Sequence, residues 1–276
     1  MTLGWARKVL TFVGRAGDRN NRAMKGAALL GDALAQRLEL DQVIIGTPAP
    51  ATSLGWQDEL AAAKPELLEL QAAHALALAA EHPTLTVLSR CAAALATLPN
   101  LALARPDALV VWFDAHGDLN TPASTRSGYL GGMVLAAALG WWDSGLGSGL
   151  EARNLILGGT RDLDPFEKSV VDSGTVKLAA GPGMLSDLDR LIGDWPVYFH
   201  LDCDVLSPGI VATDYAVPAG LSLRELKAVA TRLARNEVIG IQIAEYQAPD
   251  RARSINKQLT GLMNALTPLL EKTEAD

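Results

Sequence analysis

The sequence predicts an α/β protein built on a mainly parallel β-sheet flanked by helices. Three observations predict it. Short apolar runs alternate with longer amphipathic stretches, the signature of repeated βαβ units. The run Ala108–Phe113 (ALVVWF) is continuously apolar, as a strand covered by helices on both faces must be. No linker with a composition shift divides the 276 residues, so 1–276 are expected to form one domain, a common size for a single α/β unit.

The elements follow in order. Val9–Val13 reads as a first strand, followed by a Gly/Asp/Arg/Asn loop (Gly14–Asn21) and a helix over Arg22–Leu38. Gln42–Ile45 reads as a short strand. The proline-bearing loop Thr47–Ser53 and a helix from about Ala61 to Glu81 follow. Thr84–Leu88 is a strand, Ala92–Thr97 opens a helix and Ala108–Phe113 is the continuous apolar strand. Gly131–Leu139 reads as an alanine-rich helix. Asn154–Leu157, Thr175–Leu178 and Val197–Leu201 are strands, and Leu223–Asn236 is a helix. Val238–Ala244 is a last strand and Ser254–Glu271 a closing helix.

Composition narrows the function classes. Apolar residues make up 49% and charged residues 20%, the balance of an ordinary globular chain rather than a disordered one. The net charge of −7 argues against nucleic acid as a partner, which needs clustered Lys and Arg. Two cysteines, Cys91 and Cys203, cannot build a disulfide scaffold and suit a reducing compartment. The longest uncharged apolar stretch, Tyr129–Trp142, is too short to span a bilayer and carries three glycines. The first residues show no apolar core followed by a small-residue cleavage site. The expectation is a cytoplasmic protein with a small-molecule partner and no membrane partner.

Chemistry is expected beyond the carboxyl ends of the strands, where open parallel sheets bind ligands. Three acidic groups stand there. Asp114-Ala115-His116-Gly117-Asp118 follows ALVVWF, Asp202-Cys203-Asp204 follows VYFHL, and Glu245 follows IGIQIA. Alternation along an extended segment would put Asp114, His116 and Asp118 on one side, and Asp202 and Asp204 likewise. Converging carboxylates repel one another, and divalent cations relieve that repulsion. One imidazole among several carboxylates suits Mn²⁺, Fe²⁺ or Co²⁺ better than a closed zinc site. The competing reading of each Asp-x-Asp is turn chemistry.

These residues resemble the arginase–agmatinase–formimidoylglutamase family, the ureohydrolases. The matching stretches are DAHGDLNTP (Asp114–Pro122), SGYLGGM (Ser127–Met133), GGTRDLDPFE (Gly158–Glu167), LDCDVLSPG (Leu201–Gly209), GLSLRE (Gly220–Glu225) and AEYQAP (Ala244–Pro249). The resemblance covers most of the chain after about residue 85. It implies a three-layer, arginase-like α/β fold and a hydrolase with two divalent metal ions, manganese by expectation, that activate water for attack on a guanidinium-type carbon. Position by position, it implies that Asp114 and Asp202 bridge both metals. His116 and Asp204 would bind one metal and Asp118 the other, with Asp118 also a proton carrier. Glu245 would pair with the substrate's guanidinium. Asn120 and Ser127 would lie near an amino-acid carboxylate and Asp164 near an α-amino group, so the implied substrate is a guanidino amino acid.

Two departures sharpen the expectation. The family's Gly-Gly-Asp-His segment, which supplies a metal ligand, is here VLSRCAAALATLP, with Cys91 in the histidine's place. Cys91 reads either as a thiolate ligand, its pKa lowered by a helix N-terminus, or as a buried structural thiol. The family arginases also carry SGNLHGM, whose histidine is implied to carry protons to the leaving amine. Here Gly131 stands in its place and Tyr129 replaces the asparagine. Loss of a general acid argues against arginine as substrate. The combination of Cys91 with GYLGGMVL (Gly128–Leu135) is similar to the branch of the family that cleaves Nω-hydroxy-L-arginine to L-ornithine and hydroxyurea. That similarity extends to Gly14-Arg15-Ala16-Gly17-Asp18-Arg19. Another guanidino substrate and a non-catalytic relative remain the alternatives.

The remaining polar residues are expected in supporting roles. Arg15 and Arg19 read as solvated loop residues, His74 and His82 as solvent-facing, and His200 as a hydrogen-bonded core histidine. Cys203 reads as core, and Arg161 and Asp162 as a structural pair. Tyr129 reads equally as a substrate contact or a packed loop aromatic.

Overall fold

Short runs rich in apolar residues form eight strands among the described residues, and every pairing between them is parallel. The computed structural model describes residues 8–80 and 82–271. The strands are β1 (Lys8–Phe12), β2 (Asp41–Ile45), β3 (Thr84–Leu88), β4 (Leu109–Phe113), β5 (Leu155–Gly158), β6 (Lys177–Ala179), β7 (Val197–Asp202) and β8 (Val238–Ala244). Their order across the sheet is β2-β1-β3-β8-β7-β4-β5-β6. The chain builds one flank first, jumps from β3 to β4, and only later fills the gap with β7 and β8. The four adjacent strands β3, β8, β7 and β4 therefore come from distant parts of the sequence and end together on one rim.

Helices cover both faces. The helices α1 (Arg22–Leu38), α6 (Met184–Ile192), α7 (Leu223–Leu233) and α8 (Ala252–Leu270) pack on one side. The other side carries α2 (Trp56–Ala79), α3 (Ala94–Ala104), α4 (Val134–Ala138) and α5 (Pro165–Asp172). Alternation along β4 shows the division, with Val111 and Phe113 in the first core and Val110 and Trp112 in the second. The result is the three-layer arrangement expected. No described helix is long and apolar enough to cross a membrane.

Two helices escape the sequence reading. The helix α5 is eight residues long and opens on Asp164-Pro165, an N-cap followed by a proline at the first turn. The helix α6 follows Gly181-Pro182-Gly183 and buries Met184, Leu188 and Ile192, a four-residue spacing legible in the sequence. The helix α2 starts at Trp56, earlier than expected, because its polar first turn holds Asp58 and Glu59, which suit the positive helix terminus. The expected helix Gly131–Leu139 is a 3-10 turn over Gly131–Met133 followed by α4. The segment GLSLRE owes its form to a capping box. Ser222 Oγ accepts from Glu225 N at 3.2 Å, and Glu225 Oε2 accepts from Ser222 N at 2.8 Å.

Candidate active site

The rim shared by β3, β8, β7 and β4 carries the polar residues that the sequence singles out. Cys91 opens a 3-10 turn just beyond β3, Asp114 follows β4, Asp202 ends β7, and Glu245 follows β8. All four are buried, with 1–5% exposure. Cys91, Asp202 and Glu245 line one cavity of about 230 Å³ together with His116, Asp118 and Asp204.

The carboxylates first shape their own turns. Asp114 Oδ1 accepts from His116 N at 2.7 Å, and Asp202 Oδ1 accepts from Asp204 N at 2.7 Å. Asp204 Oδ1 accepts from Ala115 N at 3.2 Å and ties the two strand ends together. Turn chemistry and convergence are thus the same feature. Strand alternation is not what aligns Asp114, His116 and Asp118, because the chain leaves the extended conformation after Phe113. Asp118 stands at φ +51° and Glu245 at φ +63°, left-handed backbone that a non-glycine residue adopts at a cost of about 1–3 kcal/mol. The Asp118 turn is held by Glu167 at the start of α5. Its Oε1 accepts from Leu119 N at 3.0 Å and its Oε2 from Asp164 N at 2.9 Å. Gly117 permits this approach, since a Cβ there would meet Glu167 Cδ at 2.7 Å.

Two groups of ligand-type atoms result. Cys91, Asp114 and Asp202 each offer one atom, all within 4.8 Å of one another, and so do Asp114, His116 and Asp204. Asp114 belongs to both, the position that a bridging carboxylate requires. His116 Nδ1 lies 3.2 Å from both Asp114 Oδ1 and Asp204 Oδ2. Cys91 Sγ lies 3.0 Å from Asp202 Oδ2. Asp118 stands outside both groups, but its Oδ2 is buried without a hydrogen-bond partner among the described residues.

The electrostatics are those of a site short of positive charge. Burial, followed by neighbouring carboxylates, pushes Asp202 and Asp118 well above the usual carboxylate range and raises Asp204. Burial opposes the charge of Asp114 as well, yet bonds from His116 hold it below its ordinary value. Burial works against the imidazolium of His116, and its bonds to Asp114 and Asp204 more than offset this. Cys91 stands at the expected strand–helix junction, where burial and the adjacent Asp202 push its thiol up. A cation placed between these atoms would relieve each of these costs at once. The donor set of carboxylate oxygens, one imidazole and one sulfur therefore fits divalent metal ions.

Glu245 sits in a second network. Its Oε1 accepts from Cys91 N at 2.9 Å, and its Oε2 accepts from Arg90 Nη1 at 2.8 Å. Arg90 is fully buried and also binds Asp18 and Asp214. Burial lifts Glu245 to about pH 7, with Arg90 pulling the other way. Sequence reasoning passed over Arg90, although a lone charge between an apolar strand and Cys91 was a legible signal.

The remaining residues fall as follows. Asn120 Nδ2 donates to Asp164 Oδ2 at 2.9 Å, and both line the cavity with Ser127. His200 is the core histidine expected. Its Nδ1 lies 2.8 Å from Gln242 Oε1, its ring stacks on Trp112 at 3.4 Å, and its Nε2 reaches Cys91 Sγ at 3.3 Å. His82 is half-buried and Cys203 is buried, but His74 is fully buried instead of solvent-facing, because α2 turns it onto Tyr198, whose hydroxyl lies 3.3 Å from His74 Nε2. Arg15 is paired with Glu59 at 3.5 Å, whereas Arg19 is exposed. Arg161 does not pair with Asp162. Its guanidinium donates to the backbone carbonyls of Gly159, Asp204, Val217 and Pro218, which lock the two loops together, and Asp162 lines the cavity instead.

Comparison with known proteins matches this arrangement. The chain is 35% identical over 263 residues to an N(omega)-hydroxy-L-arginine amidinohydrolase of Streptomyces lavendulae, covering 95% of this chain and 96% of that one. It is 32% identical over 155 residues to the hepatic arginase of Aquarana catesbeiana, covering 48% and 47%. The fold superposes on an arginase of Bacillus subtilis with a TM-score of 0.82 at 21% identity, over 99% of this chain and 100% of that one. An arginase of Entamoeba histolytica solved with L-ornithine gives 0.81 at 21%, over 99% and 100%. The arginase family model matches residues 67–262, a span that holds every strand end lining the cavity. The chain is therefore a hydrolase of the arginase family.

Proposed function

We propose that the protein hydrolyses Nω-hydroxy-L-arginine to L-ornithine and hydroxyurea with two manganese ions. The observation that carries this reading is Asp114 shared between two ligand groups, one of which holds a cysteine. The 35% identity to a hydroxyarginine amidinohydrolase over nearly the whole chain supports the substrate.

In this reading Asp114, His116 and Asp204 hold one ion. Cys91, Asp114 and Asp202, with Asp118 beside them, would hold the other. When bound, the pair supplies the positive charge that makes water a nucleophile near neutral pH. Glu245 fixes the guanidine end, while Asn120, Ser127 and Asp164 hold the α-carboxylate and α-amino groups. Water adds to the guanidine carbon, and the bond between that carbon and the side-chain nitrogen breaks. Asp118 takes up the proton released on addition and returns it to the leaving amine, which departs as part of ornithine. With Gly131 in place of the histidine of the family arginases, Asp118 carries this proton alone in this reading.

The test is to incubate manganese-loaded protein separately with Nω-hydroxy-L-arginine, L-arginine and agmatine and to measure ornithine, urea and hydroxyurea. We expect kcat/KM for hydroxyarginine to exceed the others by roughly 100-fold or more. Equal turnover of all three, or none, would remove the substrate assignment. Turnover confined to arginine or agmatine would transfer it to the ordinary arginase or agmatinase reaction.

A further inference from the structure

Tyr129 and Gly131 form one coupled feature. A Cβ on Gly131 would lie 2.5 Å from Tyr129 Cε1 and 3.0 Å from Cζ. No residue larger than glycine fits at 131 while the ring stays where it is. The ring is held from other directions as well. The Arg19 guanidinium lies 4.9 Å over its face, and Tyr215 meets it edge-on at 6.1 Å. Tyr129 N donates to Ser127 Oγ at 3.2 Å, so the backbone that carries the ring is tied to the residue expected at the amino-acid carboxylate.

The phenol itself is unsatisfied. Its oxygen is buried and has no hydrogen-bond partner among the described residues. Burial, then Glu245, pushes its pKa well up, so it remains a neutral O–H group that both donates and accepts. Tyr129 and Glu245 line the same cavity. A buried hydroxyl without a partner is costly, and a ligand that completes its bonds relieves that cost.

We propose that Tyr129 is a specificity-determining residue whose phenol oxygen meets the Nω-hydroxyl of the substrate beside Glu245, and that Gly131 is required to make room for its ring. The inference rests on the hydroxyarginine reading above and deepens it. A guanidinium carries only donors, so it can meet the phenol's lone pair but leaves its proton without an acceptor. An Nω-hydroxyl oxygen accepts that proton and gives the phenol the partner it lacks. Sites built to bond a hydroxyl discriminate strongly against analogues that lack it.

The experiment compares manganese-loaded wild type with Tyr129→Phe, Gly131→Ala and the double variant on hydroxyarginine and arginine. For each ligand the same parameter is followed across the variants, kcat/KM where ornithine is released and calorimetric Kd where it is not. We expect Tyr129→Phe to weaken hydroxyarginine by about 10–100-fold and arginine at least about tenfold less. Gly131→Ala displaces the ring and reproduces that selective loss with the phenol still present. The double variant adds little, because both act on one contact. Equal losses for the two ligands, or none, overturn the proposal, as does a wild type that prefers neither ligand. Absence of ornithine release by wild type overturns the hydroxyarginine reading instead, and the selective loss in Kd then still judges Tyr129.

Discussion

His74 shows how far a single side chain can depart from its apparent place in the sequence. It lies on a helix whose residues are apolar on most sides, so no polar face identifies it as buried. The structure places it at 0% exposure against Tyr198. Burial lowers its pKa to about 3. The unfolded chain then binds a proton below about pH 6.5 that the folded chain refuses, so this residue's contribution is full above pH 6.5 and is lost as pH falls toward 3. Wild type is therefore expected to lose stability relative to His74→Phe by about 2 kcal/mol between pH 6.5 and 5. Urea denaturation of both proteins at the two pH values measures it, and a gap that does not change would show that the imidazole is not buried as described. Cys91 gives the complementary case. Its position was readable, but its protonation depends on burial and on Asp202, which lies 111 positions away in sequence.

Among the elements, the loops after β1, β3, β7 and β8 are held together by one guanidinium. Arg90 reaches Asp18 at 2.8 Å, Asp214 at 2.9 Å and Glu245 at 2.8 Å. Removing one partner of a buried ion pair leaves charge without compensation and costs about 3–5 kcal/mol. Arg90→Met, close in size but uncharged, should lower stability by that amount and free Glu245 from its orientation. Chemical denaturation gives the first effect, and a raised KM for the proposed substrate gives the second. A stability change below about 1 kcal/mol would place the network at the level of exposed pairs. The strands were legible because their apolar runs are short and bounded. The helices α5 and α6 were not recognised, because one is short and opens on a proline while the other follows Gly-Pro-Gly. The first of these lies beside the cavity, where its Glu167 holds the Asp118 turn. The network of Arg90 was illegible for another reason, since its partners meet only after four strands have been ordered.

At the scale of the whole molecule, the strand order β3-β8-β7-β4 is what assembles the site. Each acidic motif could be read at the end of its own strand, and parallel pairing alone was enough to put those ends on one rim. The sequence could not give the adjacency of those four strands, because β4 precedes β7 and β8 and the gap between β3 and β4 closes late in the chain. The resemblance implies both Asp114 and Asp202 as shared carboxylates, whereas the two ligand groups share Asp114, and Asp202 falls only in the group with Cys91. The central claim is that this convergence makes a two-metal centre bridged by Asp114. The most direct measurement is anomalous X-ray scattering at the manganese edge from crystals of manganese-loaded protein. Two peaks are predicted on the β3-β8-β7-β4 rim, one between Asp114, His116 and Asp204 and the other between Cys91, Asp114 and Asp202. No peak there, or a single ion that Asp114 does not touch, would contradict it.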